Sequence, residues 1–276
     1  MFDTLVPFEL HLEVWALIAG VIVIGFYTAR VLQPLAIKAG YPAITTKQKA
    51  WFLAAVVSMW IVSDWPVHEI AEFRLYSVHM LQHLALSLVI PGMFLLSFPS
   101  WLFELFFDPA KKGWQAFRWF SKPVVAGVTF NALTLLLHWS FLVQWSADSG
   151  PLHFGLHLLI FTAGLAMWMP AIGPVKSWHL APMNKCIYLF AMSIVPTVPG
   201  GWLVFAEGVV YRHYDTAQRL WDINVLTDQQ AAGVIMKLVG GFFLWAVIAT
   251  IFFRWANKEL AKDRVALQSE PAGTLV

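Results

Sequence analysis

The sequence predicts an all-α membrane protein built as a bundle of seven transmembrane helices, and three observations carry that expectation. Of 276 residues, 59% are apolar and only 12% are charged, where a soluble domain averages roughly 45 to 50% and about 25%. Seven stretches are long and apolar enough to cross a bilayer, which takes about 20 residues of helix. Lysine and arginine collect at alternate ends of those stretches, the pattern that orients helices in a membrane.

In chain order, Val14 to Leu32 comes first. No Lys or Arg precedes Arg30, so the segment lacks the basic region of a cleavable signal peptide and is expected to remain as a span. Ala50 to Ile70 is the weakest stretch, because Asp64, Pro66, His68 and Glu69 interrupt its last third. Tyr76 to Phe98, Pro123 to Trp145 and Pro151 to Gly173 contain no Asp, Glu, Lys or Arg. Lys185 to Ala206 has a charge only at its edge, and Ala231 to Arg254 carries Lys237 inside. Trp51, Trp101, Trp145, Trp178, Trp202 and Trp255 fall near predicted ends, where amphipathic rings favour the interface. These stretches form one domain, residues 1–258, followed by a polar cytoplasmic tail, 259–276, expected to be disordered.

One set of flanks holds fourteen Lys and Arg and the other holds only Arg74, Arg212 and Arg219. The count predicts an N-terminus outside, in the periplasm, and a C-terminus in the cytoplasm. The single Cys186 excludes a disulfide framework, a CxxC redox pair and a thiolate metal cage. A net charge of +2 says little about partners beyond the lipid bilayer, and no nucleic acid is expected among them.

With that topology the nine histidines fall almost entirely on one side. His179 alone is cytoplasmic, His11 and His213 lie in outer flanks, and His68, His79, His83, His138, His153 and His157 lie in the outer parts of helices two to five. At about 1.5 Å of rise per residue, His83, His138 and His157 each sit roughly 9 to 11 Å below the outer interface. His79 and His153 lie one turn above their partners on the same faces, and Asp64 and His68 repeat the spacing on helix two. A lone histidine in a span is usually a satisfied hydrogen bond between helices. Six in four consecutive helices ask for more.

Imidazole is the commonest metal ligand near neutral pH and suits copper, zinc, iron and nickel. With few carboxylates and no nearby thiol, calcium and magnesium fit poorly, and copper binds such sites tightest among divalent first-row metals. Met80 and Met59 add thioether sulfur suited to Cu(I), although methionine in a span is usually packing. Two imidazoles at one depth, His83 with His157 or His138, can equally hold a haem axially. Lys237, in the last of seven helices, has the arrangement of a retinal lysine. It can instead pair with Asp64 or snorkel to the interface, and a retinal pocket leaves six histidines unexplained.

The segments HMLQH (79–83), LLLHWSFLVQW (135–145), LHFGLHLLIFTAGLAMWMPAI (152–172) and LTDQQAAGVIM (226–236), in this order, resemble the seven-helix CtaG family of cytochrome c oxidase assembly factors. The likeness runs from about Asp64 to Trp255. It implies a bacterial inner-membrane accessory protein, not an enzyme, that works with haem-copper oxidase subunits and a periplasmic copper donor to supply the oxidase's copper centres. By position the family's histidine motifs fall on His79, His83, His138, His153 and His157, and its acidic outer positions on Asp64 and Asp228. Two residues depart from the pattern. Leu156 stands where members often have an acid before the second histidine of helix five, and Lys237 where an apolar or aromatic residue is expected.

The resulting expectation is a copper site in the outer half of the bundle. His79, His83, His138 and His157 are its ligands and His153 is an alternate or relay ligand. Asp64, His68 and Asp228 lie at its mouth or support the ligands, and Gln82 and Gln229 give hydrogen-bonding support. Its alternatives are a haem-binding membrane oxidoreductase using the same histidines and a metal-free assembly scaffold.

Overall fold

The computed structural model describes residues 6–106, 112–217 and 219–269, and every regular element among them is a helix. Among the described residues five helices are each long and apolar enough to cross a membrane, or up to seven if each of two bent pairs is one span.

Helix α1 (Leu12–Lys38) leads, and α2 (Thr46–Ser63) follows it. A reciprocal cap starts α2: Gln48 N–H donates to Thr45 Oγ1 at 3.2 Å, and Thr45 N–H donates to Gln48 Oε1 at 2.9 Å. The second predicted span does not run straight to Ile70. It stops at Ser63, and α3 (Val67–Phe73) leaves at 46°. Pro66 is the cause, since it lacks a backbone N–H and disfavours helical backbone at Trp65.

Helix α4 (Tyr76–Ser97) contains a π-helical turn at Ala85–Val89. The short α5 (Ser100–Phe106) follows, and α6 (Lys112–Phe120) meets α7 (Pro123–Leu137) at 71°. Here too the chain departs from the sequence expectation, because α7 ends at Leu137 and not at Trp145. Trp139 is extended, and α8 (Ser140–Ala147) restarts the helix. The freed carbonyl of His138 accepts the Tyr211 hydroxyl at 2.7 Å, which satisfies an end group that would otherwise be orphaned.

Helix α9 (Gly150–Ile172) crosses α4 at very short range. A Cβ on Gly164 would lie 2.2 Å from the Ser87 carbonyl oxygen, and Trp168 Nε1 donates to the Leu88 carbonyl at 2.8 Å. This contact holds together two helices that carry four of the nine histidines. Helix α10 (Pro182–Val204) is interrupted at Pro196, and α11 (Val225–Ser269) packs on it where Gly200 faces Gly233. The core between α4, α7, α9, α10 and α11 is built on Phe130, Ile160, Met167, Trp168 and Leu189, all nearly inaccessible.

At 45 residues, α11 would span about 68 Å at 1.5 Å per residue, against roughly 30 Å of hydrocarbon. It therefore runs through the predicted boundary at Lys258. The part of the expected tail that is described, residues 259–269, is helical, in keeping with its run of Ala, Lys, Glu, Leu and Arg and with an ion pair of 2.9 Å between Lys262 and Glu259. Residues 270–276 lie outside the described residues.

The end of α9 remote from His153 and His157 is closed by a cationic cap. Lys185 Nζ donates to the Ala171 carbonyl at 2.6 Å and to His179 Nδ1 at 3.2 Å, while His179 Nε2 donates to the Gly173 carbonyl at 2.6 Å. Burial holds the His179 imidazole below its ordinary value, so the ring stays neutral beside the ammonium. Replacing Lys185 by methionine is expected to cost about 1 kcal/mol, the ordinary worth of such a bond, and to lower Tm by roughly 2 to 4 °C. Lys185→Arg should recover most of the loss in the same thermal melts.

Candidate metal centre

Helices α3, α4 and α9 each bring residues four apart to one place. His68 and Glu72 share a face of α3, His79 and His83 a face of α4, and His153 and His157 a face of α9. The ring centroids of His83 and His157 are 5.1 Å apart, those of His79 and His157 5.8 Å, and those of His79 and His153 5.9 Å. One ligand atom from each of His79, His83 and His157 lies within 4.8 Å of the others. The same holds for Glu72, His153 and His157. Nitrogens bound to one ion at about 2.0 to 2.1 Å are about 3.4 Å apart, so either group needs only a small inward swing of its side chains.

Glu72 is the residue that sequence reasoning missed. Its buried carboxylate accepts from His79 Nδ1 at 3.1 Å through Oε1, and the same oxygen lies 2.9 Å from His153 Nε2. Its backbone carbonyl accepts from His213 Nε2 at 2.8 Å. A signal existed, because Glu72 continues by one more step of four the spacing already noted for Asp64 and His68.

Several expected participants stand elsewhere. Asp64, turned aside by the break after Ser63, accepts from Trp60 Nε1 at 2.8 Å. Lys237 does not pair with it, since its ammonium donates to Thr197 Oγ1 at 2.7 Å. His138 is buried with its ring 5.8 Å from that of His83, but Nδ1 donates to the Thr134 carbonyl at 2.6 Å, and the residue belongs to neither ligand group. Asp228 reaches back from α11 to the start of α4, accepting from the Tyr76 N–H at 2.7 Å and from the backbone and hydroxyl of Ser77. It supports the helix that bears His79 and His83, and touches neither ring.

Two glutamines brace the surroundings. Gln82 Nε2 donates to the Val62 carbonyl at 2.7 Å and to His68 Nδ1 at 3.2 Å, tying α4 to the end of α2 and to the start of α3. Gln229 accepts from the N–H groups of Val210 and Tyr211 and donates to the Tyr211 carbonyl at 2.9 Å. It fixes a loop that closes over the cluster, where the Tyr214 hydroxyl donates to the Ala71 carbonyl at 2.9 Å. Tyr76 lies against His79 with ring planes 17° apart.

Two spaces adjoin these residues. A void of about 20 Å³ lies among Glu72, His79, His83, His153 and His157, room for about one water-sized body. A cavity of about 720 Å³ reaches Glu72, His153 and His157 from another side, lined by His11, His68 and Glu69 and by apolar residues such as Val21, Phe94 and Phe161. His11 Nε2 lies 3.2 Å from Glu69 Oε1, and ring contacts run from His11 to His68 at 4.7 Å and from His68 to His153 at 6.2 Å. A series of imidazoles thus leads along the cavity into the cluster.

Nitrogen ligands with one carboxylate oxygen and no thiolate form a donor set suited to copper or zinc. His157 Nε2 is buried without a hydrogen-bond partner among the described residues. Such an atom ordinarily costs about 1 to 3 kcal/mol, and a bound cation would satisfy it.

The sequence model of the family described as cytochrome c oxidase caa3 assembly factor (Caa3_CtaG) matches residues 25–258, a wider reach than the quoted motifs cover. No curated protein and no solved structure matches the chain.

Proposed function

The chain belongs to the cytochrome c oxidase caa3 assembly factor family, and from that premise we propose that it serves assembly of a haem-copper oxidase by binding copper in its histidine cluster and passing it on. The observation that carries this reading is the meeting of His79, His83 and His157 within 4.8 Å, with His157 Nε2 unpaired. Ionisable and polar groups within a membrane are expensive and mark functional sites. The roughly 20 Å³ between the rings is far below the roughly 300 Å³ or more of an organic-ligand pocket, which favours a bare ion over a haem held between His83 and His157.

In this reading both bent helix pairs are spans, giving seven. The N-terminus is periplasmic, the C-terminus cytoplasmic, and the membrane is the bacterial inner membrane, as the Lys and Arg alternation supports. The histidine cluster then faces the periplasm, where a soluble copper donor would load it. Cu(I) transfer needs ligands that exchange, and imidazoles with few other donors allow that.

The test is the double variant His83→Ala, His157→Ala in cells whose oxidase depends on this protein, at matched protein levels. Loss of oxidase copper and activity is expected. Unchanged copper content and activity would overturn the reading, as would elemental mass spectrometry of the purified protein finding iron in place of copper.

A further inference from the structure

Building on the copper-binding reading, we propose that a single ion moves between two ligand sets that pivot on His157: a receiving set of Glu72, His153 and His157, and an all-imidazole set of His79, His83 and His157. Both sets have their ligand atoms within 4.8 Å of one another, and His157 is common to both. All five residues line the same void of about 20 Å³, which accommodates about one water-sized body. The two positions are therefore alternatives for one ion.

The direction follows from what each set faces. Glu72, His153 and His157 line the cavity of about 720 Å³, and His79 and His83 do not. His83 instead lines a separate space with Met80, His138 and Met192. An ion arriving through the large cavity meets the carboxylate set first.

Glu72 changes role between the two states. In the receiving position its oxygen binds the ion. In the other it accepts the His79 Nδ1–H, the 3.1 Å contact present in this structure, which directs the lone pair of the opposite ring nitrogen towards a ligand position. The transfer breaks the metal bonds to Glu72 oxygen and His153 nitrogen, forms bonds to His79 and His83 nitrogen, and keeps the bond to His157. The oxidation state is unchanged. The imidazoles enter neutral, and the Nδ1 proton of His79 stays between His79 and Glu72.

Cu(II) titrated into the purified full-length protein in mild detergent tests this, with pulsed electron paramagnetic resonance counting the coordinated imidazoles. Wild type should hold one ion per chain. Glu72→Gln confines the ion to the imidazole set and His83→Ala to the receiving set, so each should keep one ion, with affinity lowered by no more than about 100-fold, and with one imidazole more in Glu72→Gln than in His83→Ala. His157→Ala should weaken binding by more than about 100-fold, beyond the loss that a supporting residue causes. His79→Ala and His153→Ala repeat the comparison should either first variant fail to give monodisperse protein. Two ions in wild type, equal imidazole counts in the two confined variants, or full binding by His157→Ala would each overturn the pivot while leaving copper binding intact. No copper in wild type would instead bring down the copper reading itself, and the pivot with it.

Discussion

Gly164→Leu is expected to weaken the histidine site without altering a histidine. The first atom of any side chain at this position would lie 2.2 Å from the Ser87 carbonyl oxygen and 3.0 Å from Pro91 Cγ. Neither neighbour is a flexible tip, so α4 and α9 must separate. The cost should be about 3 kcal/mol, the upper part of the usual range for overpacking, or a Tm lowered by roughly 6 to 12 °C. Separation also moves His79 and His83 away from His153 and His157, so Cu(II) affinity should fall by at least about tenfold, as it does when the support of a metal ligand is lost. Thermal melts paired with Cu(II) titration check both effects. A variant that melts normally and binds normally would show that the close crossing is not what holds the ligands together.

Asp228→Ala should damage the same site from a greater distance. Leu75, which precedes α4, offers no side-chain cap, and Asp228 provides one from α11 while itself only 1% exposed. Its removal leaves the N–H groups of Tyr76 and Ser77 and a hydroxyl without their acceptor. At roughly 1 to 3 kcal/mol for each buried group left unpaired, the loss should be about 3 kcal/mol or more. The negative charge also opposes the positive end of the α4 dipole, which adds a smaller share. Asp228→Asn should fall between wild type and alanine in Tm, because it keeps an acceptor oxygen but loses the charge. If all three proteins melt together, the cap carries no stability.

The part of the site that could be read from the sequence is the part that depends on spacing within unbroken helices. His79 with His83, and His153 with His157, share faces because four residues make about one turn, and the apolar stretches around them predicted α4 and α9 closely. The same counting failed where a helix breaks. It grouped Asp64 with His68, but the break before α3 turns Asp64 to Trp60 and leaves His68 and Glu72 as the pair that enters the cluster. It placed His138 well inside a helix, whereas the residue closes one at Leu137 and spends Nδ1 on its own helix. Asp228 and Gln229 were visible as polar residues ahead of the last helix. Their partners, Tyr76, Ser77, Val210 and Tyr211, follow only from how α11 packs, which no local pattern encodes.

The loop above the cluster grips main chain. Tyr214 and Tyr211 bond the carbonyls of residues 71 and 138, main-chain atoms that a change of side chain leaves in place. Attachment of the roof is thus indifferent to the identity of the residue beneath it. A substitution at position 138 leaves that tether in place, so His138→Ala or His138→Gln alters the buried imidazole and its bond to Thr134 but not the attachment of the roof. The same independence gives evolution room to change the chemistry at that position without rebuilding the architecture that shelters it.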